Sequence, residues 1–263
     1  MESIMSAVKA NGCDFGIIFD TDVDRAGAVD SDGREINRNR LIALVAAIAL
    51  EKEPGGTIVT DSVTSAELAD FIENKLQGKH HRFKRGYKNV INEAIRLEGE
   101  GTTAPLAIET SGHGAFKENF YLDDGAYLIA KILIKLACLR EENETLAGLL
   151  ADLAEPAESG EFRFKIAGEE FKNYAAGVLA DLEAYAIKEG WQIAPNNHEG
   201  IRLLFSGDWG QGWLLLRMSL HDPIMPLNIE SAGADGVAGI ARLLLPFIQK
   251  YDRLDISPLT NTL

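Results

Sequence analysis

Apolar residues in this chain come in two textures. Short runs rich in β-branched and aromatic residues, FGIIF (15–19), TIVTDSV (57–63) and PLAIE (105–109), have the length of buried strands. Between them the apolar positions recur at helical spacing, predicting helices over 2–10, 37–51, 64–77, 87–97 and 124–140. The second of these contains LIALVAAIAL (41–50) and stops before Pro54. That run is too short to span a bilayer but suits a helix buried on all sides. AGAVDSDGREIN (26–37) reads as a hairpin turning at Asp32-Gly33, and HRFKR (81–85) as a short strand. Thr64 opens T-S-A-E, a capping box with Glu67. Strands alternating with helices predict an α/β fold, a mixed sheet flanked by helices on both faces.

The texture changes near 141–160. EENETLAGLLADLAEPAESGE is acidic, contains Pro156, and reads as a short helix plus a linker. Beyond it come a strand EFRFKI (161–166), a helix over 169–189, and strands GIRLLFS (200–206) and GWLLLRMS (212–219) joined through SGDWGQG. A strand PLNIES (226–231) and a helix over 235–250 complete the order β-α-β-β-β-α. That order predicts a separate, smaller α+β C-terminal domain.

Composition narrows the partners. The 263 residues are 46% hydrophobic and 25% charged, the balance of a globular chain with a real core. The formal charge of −14 repels a phosphate backbone, so no nucleic-acid partner is expected, nor a membrane. A small anion is still admissible, because local Arg and Lys can focus the field in a cleft. Cys13 and Cys138 are far apart and outside any CxxC, and no basic region followed by an apolar core opens the chain. Both features predict a reducing, cytoplasmic setting.

Three constellations could carry chemistry. The first is DTDVDR (20–25), with Asp20, Asp22 and Asp24 on alternate positions and Arg25 next. Such carboxylates repel one another unless they share a hard cation. A calcium loop starting at Asp20 needs Gly at its sixth position and Glu at its twelfth. Arg25 and Ser31 stand there instead, and a strand precedes the loop, so the EF-hand reading fails. A Mg2+ site at a strand end fits better, with Arg25 facing a phosphate; a solvated acidic loop is the plain alternative. The second is ETSGH (109–113), where Glu109, Ser111 and His113 follow a strand and could hold sugar hydroxyls, or could form an ordinary turn. The third is RMSLHDP (217–223), where Arg217, Ser219 and His221 alternate at a strand end. They could clasp a phosphate or could simply be strand-end polarity.

Taken in this order and spacing, the three constellations resemble the α-D-phosphohexomutase superfamily, the phosphoglucomutase/phosphomannomutase enzymes. The family patterns are D-x-D-x-D-R, G/E-E-x-S-G-H and R-x-S-x-T-E-P. Here Thr21 and Val23 replace the glycines common in the first, and His221 and Asp222 replace Thr and Glu in the last. Arg217 and Ser219 are therefore the firmer part of that loop. RGYKNV (85–90) is similar to the family's loop before the sugar motif, which makes Lys88 a substrate contact.

The resemblance implies a Mg2+-dependent isomerase that interconverts hexose 1-phosphate and hexose 6-phosphate, of glucose or mannose, through a bisphosphate. It implies Asp20, Asp22 and Asp24 as metal ligands and Arg25 as the catalytic phosphate partner. Lys88, Glu109, Ser111 and His113 would hold the sugar, with Arg217, Ser219 and His221 on the distal phosphate. The family has four domains, with a phosphoserine donor in the first in a T-x-S-H-N-like motif that these residues lack. The expectation is that 1–36 ends domain 2, 37–145 is domain 3 and 158–263 is domain 4. The missing N-terminal domains would be the partner, and this chain alone would be inactive. The sequence assigns no general base. The competing expectation is a non-catalytic module that binds sugar phosphates.

Overall fold

The computed structural model describes residues 1–219 and 222–263. These form two compact units, Met1–Ala154 and Glu155–Leu263.

In the first unit, helix α1 (Glu2–Asn11) closes on Gly12, which takes the left-handed conformation (φ 60°) and returns its N–H to the Val8 carbonyl. Strands β1 (Phe15–Phe19), β2 (Ala26–Asp30) and β3 (Glu35–Ile36) make a small antiparallel sheet. The β2–β3 turn is fixed by Asp30, whose Oδ1 accepts the N–H groups of Asp32 (3.1 Å) and Arg34 (2.8 Å). Helix α2 (Arg38–Lys52) starts at Asn37, whose side chain accepts the Arg38 N–H. All of Leu41 to Leu50 is buried, as the unbroken apolar run predicts.

A second sheet is built from β4 (Thr57–Thr60), β5 (Lys79–Arg82), β6 (Leu106–Ile108) and β7 (Gly114–Phe116) in the order β5-β4-β6-β7. The first three run parallel, and β7 is antiparallel at the edge. Helices α3 (Ala66–Asp70), α4 (Tyr87–Gly99), α5 (Gly125–Glu141) and the short α6 (Leu146–Leu149) accompany it. Alternate strand residues enter different cores. Ile58, Leu106 and Ile108 join the large cluster with α2 and α5. Val59 and Ala107 join a smaller one with Val90 and Ala94 of α4. That alternation is why the strands are apolar throughout and why helices lie on both faces.

Local details depart from the sequence reading. Ser65, not Thr64, caps α3: its Oγ accepts the Leu68 N–H at 3.0 Å. The Thr64 hydroxyl is already committed to the Asp61 carbonyl (3.1 Å), so the cap moves one residue on. The helix expected over 64–77 is α3 followed by a π-helical turn, Phe71–Lys75. The strand expected over 81–85 ends at Arg82. Strand β7 carries too few residues to leave a periodic signal of its own.

In the second unit, β8 (Glu158–Ile166), β9 (Gln192–Ile193), β10 (Ile201–Gly207), β11 (Gly210–Leu216), β12 (Ile224–Ser231) and β13 (Leu254–Asp255) form an antiparallel sheet ordered β13-β8-β12-β11-β10-β9. Helices α7 (Phe171–Glu189) and α8 (Gly236–Ile248) pack into its core, as does Leu259 of the short α9 (Ser257–Thr260) that follows β13. In β8, Phe162, Phe164 and Ile166 are buried, while Glu161, Arg163 and Lys165 are exposed. One face is packed and one is wet, the α+β pattern. The two-residue edge strands β9 and β13 are additions to the expected order. Among the described residues no helix is long and apolar enough to cross a membrane.

Candidate active site

The site begins where β1 and β2 meet. Phe19 pairs with Ala26, so residues 20–25 form the hairpin loop. Asp20 N–H donates to the Arg25 carbonyl (3.4 Å), and Arg25 N–H donates back to Asp20 Oδ1 (3.2 Å). The Arg25 guanidinium Nε donates to Asp20 Oδ2 at 2.5 Å. The closed loop places one carboxylate oxygen from each of Asp20, Asp22 and Asp24 within 4.8 Å of one another. Burial pushes the Asp24 carboxyl above the ordinary range, with the charges of Asp20 and Asp22 adding to it. For Asp20 burial acts the same way, but hydrogen bonds and charge from Arg25 outweigh it and hold that carboxyl low. Asp24 Oδ1 is buried with no hydrogen-bond partner. Three oxygen donors, one of them orphaned, fit a hard divalent cation such as Mg2+.

The second loop lies directly alongside. Glu109, at the end of β6, is buried, and its carboxylate accepts the Gly86 N–H (2.5 Å) and the Ser111 hydroxyl (3.0 Å). Glu109 and Ser111 therefore bond to each other, with Ser111 on the exposed side. Gly112, at φ 99°, offers its carbonyl to Ala26 N–H (3.2 Å), and Arg25 and His113 form a β-bridge. A Cβ at Gly112 would lie 2.7 Å from the Ala26 carbonyl oxygen, so only glycine allows this approach. The hairpin is pinned again at its tip, where the carbonyl of Val23 (φ 66°) accepts the Gly125 N–H at 3.1 Å.

His113 is the centre of the seam. Its Nδ1 lies 2.7 Å from Asp123 Oδ2 and 3.7 Å from Asp24 Oδ2, and its ring stacks on Tyr87 with centroids 4.7 Å apart. Burial lowers its proton affinity, but the hydrogen bond and charge of Asp123 outweigh that and raise the pKa. Lys88 is exposed on the first turn of α4, with Nζ 5.8 Å from the Tyr87 ring centroid. Glu35, Asn37, Arg38, Arg40, Thr110 and Ser111 line an open cavity of about 480 Å³, which sets two guanidinium side chains on the wall shared with Ser111.

Asp20, Asp22, Asp24, Arg25, Lys88, Glu109, Ser111 and His113 all belong to the first unit. Arg217 and Ser219 belong to the second. Arg217 is buried just past β11, its N–H on the Pro226 carbonyl (3.1 Å). Ser219 donates its N–H to the Ile224 carbonyl (3.1 Å), and its hydroxyl accepts the Asp222 N–H (3.3 Å). His221 lies outside the described residues.

Sequence reasoning missed Asp61, Thr110, Tyr87 and Asp123. Asp61 is fully buried at the end of β4, and its carboxylate accepts the Thr110 N–H (3.3 Å) and hydroxyl (2.6 Å). Burial pushes its pKa up to about 6. An aspartate inside the apolar run TIVTDSV was a usable signal, since a buried carboxyl needs a partner. In FYLDDG the second aspartate, Asp124, caps α5 through the Tyr127 N–H (2.9 Å), which leaves Asp123 for another duty.

Residues 37–157 match the family model described as phosphoglucomutase/phosphomannomutase, alpha/beta/alpha domain III. A phosphomannomutase/phosphoglucomutase of Pseudomonas putida is 30% identical over 246 residues, 92% of this chain and 48% of that protein. The chain belongs to the α-D-phosphohexomutase superfamily. A phosphoglucomutase of Neisseria meningitidis is 30% identical over 244 residues, again covering 92% of this chain and 48% of its relative. The crystal structure of a phosphoglucomutase/phosphomannomutase family protein from Burkholderia thailandensis superposes with a TM-score of 0.74 at 27% identity, covering 94% of this chain and 49% of that one. The chain spans about half the length of the curated relatives it matches. The phosphohexomutase match corresponds to the C-terminal portion of those enzymes.

Proposed function

We propose that this chain carries the metal-, sugar- and phosphate-binding parts of a Mg2+-dependent phosphohexomutase that interconverts hexose 1-phosphate and hexose 6-phosphate, of glucose or mannose, through a bisphosphate. The observation that carries the reading is the seam Arg25–His113 and Ala26–Gly112, which sets an aspartate trio beside a sugar-type loop. Residues 1–36 would end the family's second domain, 37–145 would be its third and 158–263 its fourth. Asp20, Asp22 and Asp24 would hold the Mg2+, which when bound supplies charge withdrawal from a phosphoryl group. Arg25 anchors Nε on Asp20 and keeps its terminal amines for phosphoryl oxygens. Asp123 holds His113 at Nδ1, leaving Nε2 to take or give a proton at a sugar hydroxyl. Ser111 and Lys88 present hydroxyl and ammonium to the sugar phosphate, while buried Glu109 fixes the loop and orients Ser111. Arg217 and Ser219, and His221 with them, would grip the distal phosphate. The free cysteines Cys13 and Cys138 are consistent with a cytoplasmic setting.

The donor serine motif is not among these residues, so in this reading the phosphoserine would be supplied by N-terminal domains of the family's kind. The purified 263-residue chain is expected to show no glucose 1-phosphate to glucose 6-phosphate conversion, and measurable turnover would refute that part.

Calorimetric titration tests the metal site. Wild-type chain should bind Mg2+, and Asp22→Asn should weaken binding by about 10–100-fold or more, at least the loss that follows removal of a metal's outer-shell partner. Asp22 is exposed, so the change should leave the fold intact. A non-catalytic sugar-phosphate module would bind hexose phosphate equally well in both proteins. Mg2+ affinity unchanged by the substitution would remove the metal from the reading.

A further inference from the structure

We propose a second cation site on the same seam, built from Asp24, His113 and Asp123, that takes a transition-metal dication of the Zn2+ class. One donor atom from each residue lies within 4.8 Å of the other two. The residues come from three segments: the hairpin loop, the β6–β7 loop and the turn before α5. The Arg25–His113 bridge and the Val23–Gly125 hydrogen bond tie the hairpin loop to the other two segments, and the Tyr87 ring packs against His113.

The donor chemistry separates this site from the aspartate trio. Three carboxylates suit Mg2+, whereas an imidazole nitrogen with two carboxylates suits Zn2+, Co2+ or Mn2+. Spacing agrees. Tetrahedral bonds of about 2.0–2.1 Å put neighbouring ligand atoms about 3.4 Å apart. His113 Nδ1 lies 2.7 Å from Asp123 Oδ2 and 3.7 Å from Asp24 Oδ2, on either side of that value. A small opening of the first contact and closing of the second would seat the ion. The observation particular to this site is Asp123 Oδ1, buried without a hydrogen-bond partner; Asp24 Oδ1, on the carboxylate the two sites share, is in the same position. The carboxylates thus carry more acceptor capacity than the protein satisfies, and a dication meets it.

Asp24 belongs to both sites, so the two ions compete. That consequence rests on the phosphohexomutase reading: a transition ion would withdraw His113 and Asp24 from the chemistry and silence the site while Mg2+ is scarce. Occupancy itself needs nothing from that reading.

Co2+ is the probe. Titrated into the full 263-residue chain, it should give the intense visible d–d absorption of a four-coordinate ion, erased by equimolar Zn2+. His113→Gln and Asp123→Asn should each abolish the intense bands and weaken Co2+ by at least about 100-fold, a direct ligand counting for no less than an outer-shell partner. Asp22→Asn should keep them, because Asp22 serves only the aspartate trio. Excess Mg2+ should weaken Co2+ in wild type and much less in Asp22→Asn. Only weak octahedral bands, or bands lost with Asp22→Asn and kept in His113→Gln, would overturn the proposal and leave the phosphohexomutase reading standing. Failure of Mg2+ to bind at Asp22 would strike that reading and leave this one. The two ligand variants lie on different segments, and paramagnetically shifted imidazole protons in Co2+-loaded wild type give a readout independent of both. Their absence would also overturn the site.

Discussion

Gly112→Ala is expected to remove about 2–6 kcal/mol of stability from the first unit and to unzip the candidate active site. Two effects add. An alanine held at φ 99° is strained, at about 1–3 kcal/mol. Its Cβ would also sit 2.7 Å from the Ala26 carbonyl oxygen, where it meets backbone and not a yielding side-chain tip. Such overpacking costs about 1–3 kcal/mol. Relief requires β2 to move away from residues 109–113, breaking the Ala26–Gly112 hydrogen bond and the Arg25–His113 bridge together. Gly101→Ala is the control, because Gly101 has φ 87° with no atom within 4 Å of the new Cβ. It reports the backbone term alone. Trp191, Trp209 and Trp213 all lie in the second unit, so tryptophan fluorescence is blind to this transition. Far-UV circular dichroism in urea and amide exchange at Ala26 are the measurements. Equal losses for the two alanine variants, with Ala26 still protected, would show that the close approach is not what joins the loops.

Asp61 should add a distinct, acid-favouring component to the pH dependence of the same unit. Its carboxyl is fully buried, and its pKa rises from 3.8 to about 6. Folded protein therefore binds this proton more tightly than unfolded chain. The stabilisation is fully present below the unfolded value, is lost as pH climbs from about 4 through about 6, and stays lost above. A shift of about two units is worth about 3 kcal/mol. Asp61→Asn, which cannot ionise, should abolish that component, so the wild-type minus Asn difference in unfolding free energy should fall by about 3 kcal/mol between pH 3.5 and 7. Superimposable profiles would mean the buried carboxyl titrates as it does in the unfolded chain. Asp61→Ala should be worse than Asn at every pH. It leaves the Thr110 N–H and hydroxyl without their acceptor, at about 1–3 kcal/mol each. Thr110 lies between Glu109 and Ser111, so the sugar-type loop should loosen as well.

Much of this architecture is local in origin and legible in the chain. Leu41–Leu50 has no polar position, so the helix it forms must be buried on every side, and it is. Ile58 and Val59 point to opposite cores because successive strand residues face opposite ways. Asp20, Asp22 and Asp24 share one tight hairpin loop, so their oxygens lie together by virtue of their spacing. These features depend on residues a few positions apart, and periodicity records such neighbours.

Tertiary structure alone decided what stands around those residues. Nothing near His113 says that Asp123 and Asp24 will face its Nδ1 from separate segments, or that Asp61 will hold Thr110. Those pairings exist only after the sheets have closed and expelled water. Their strength comes from burial, a property of the assembled unit that no short stretch of sequence possesses.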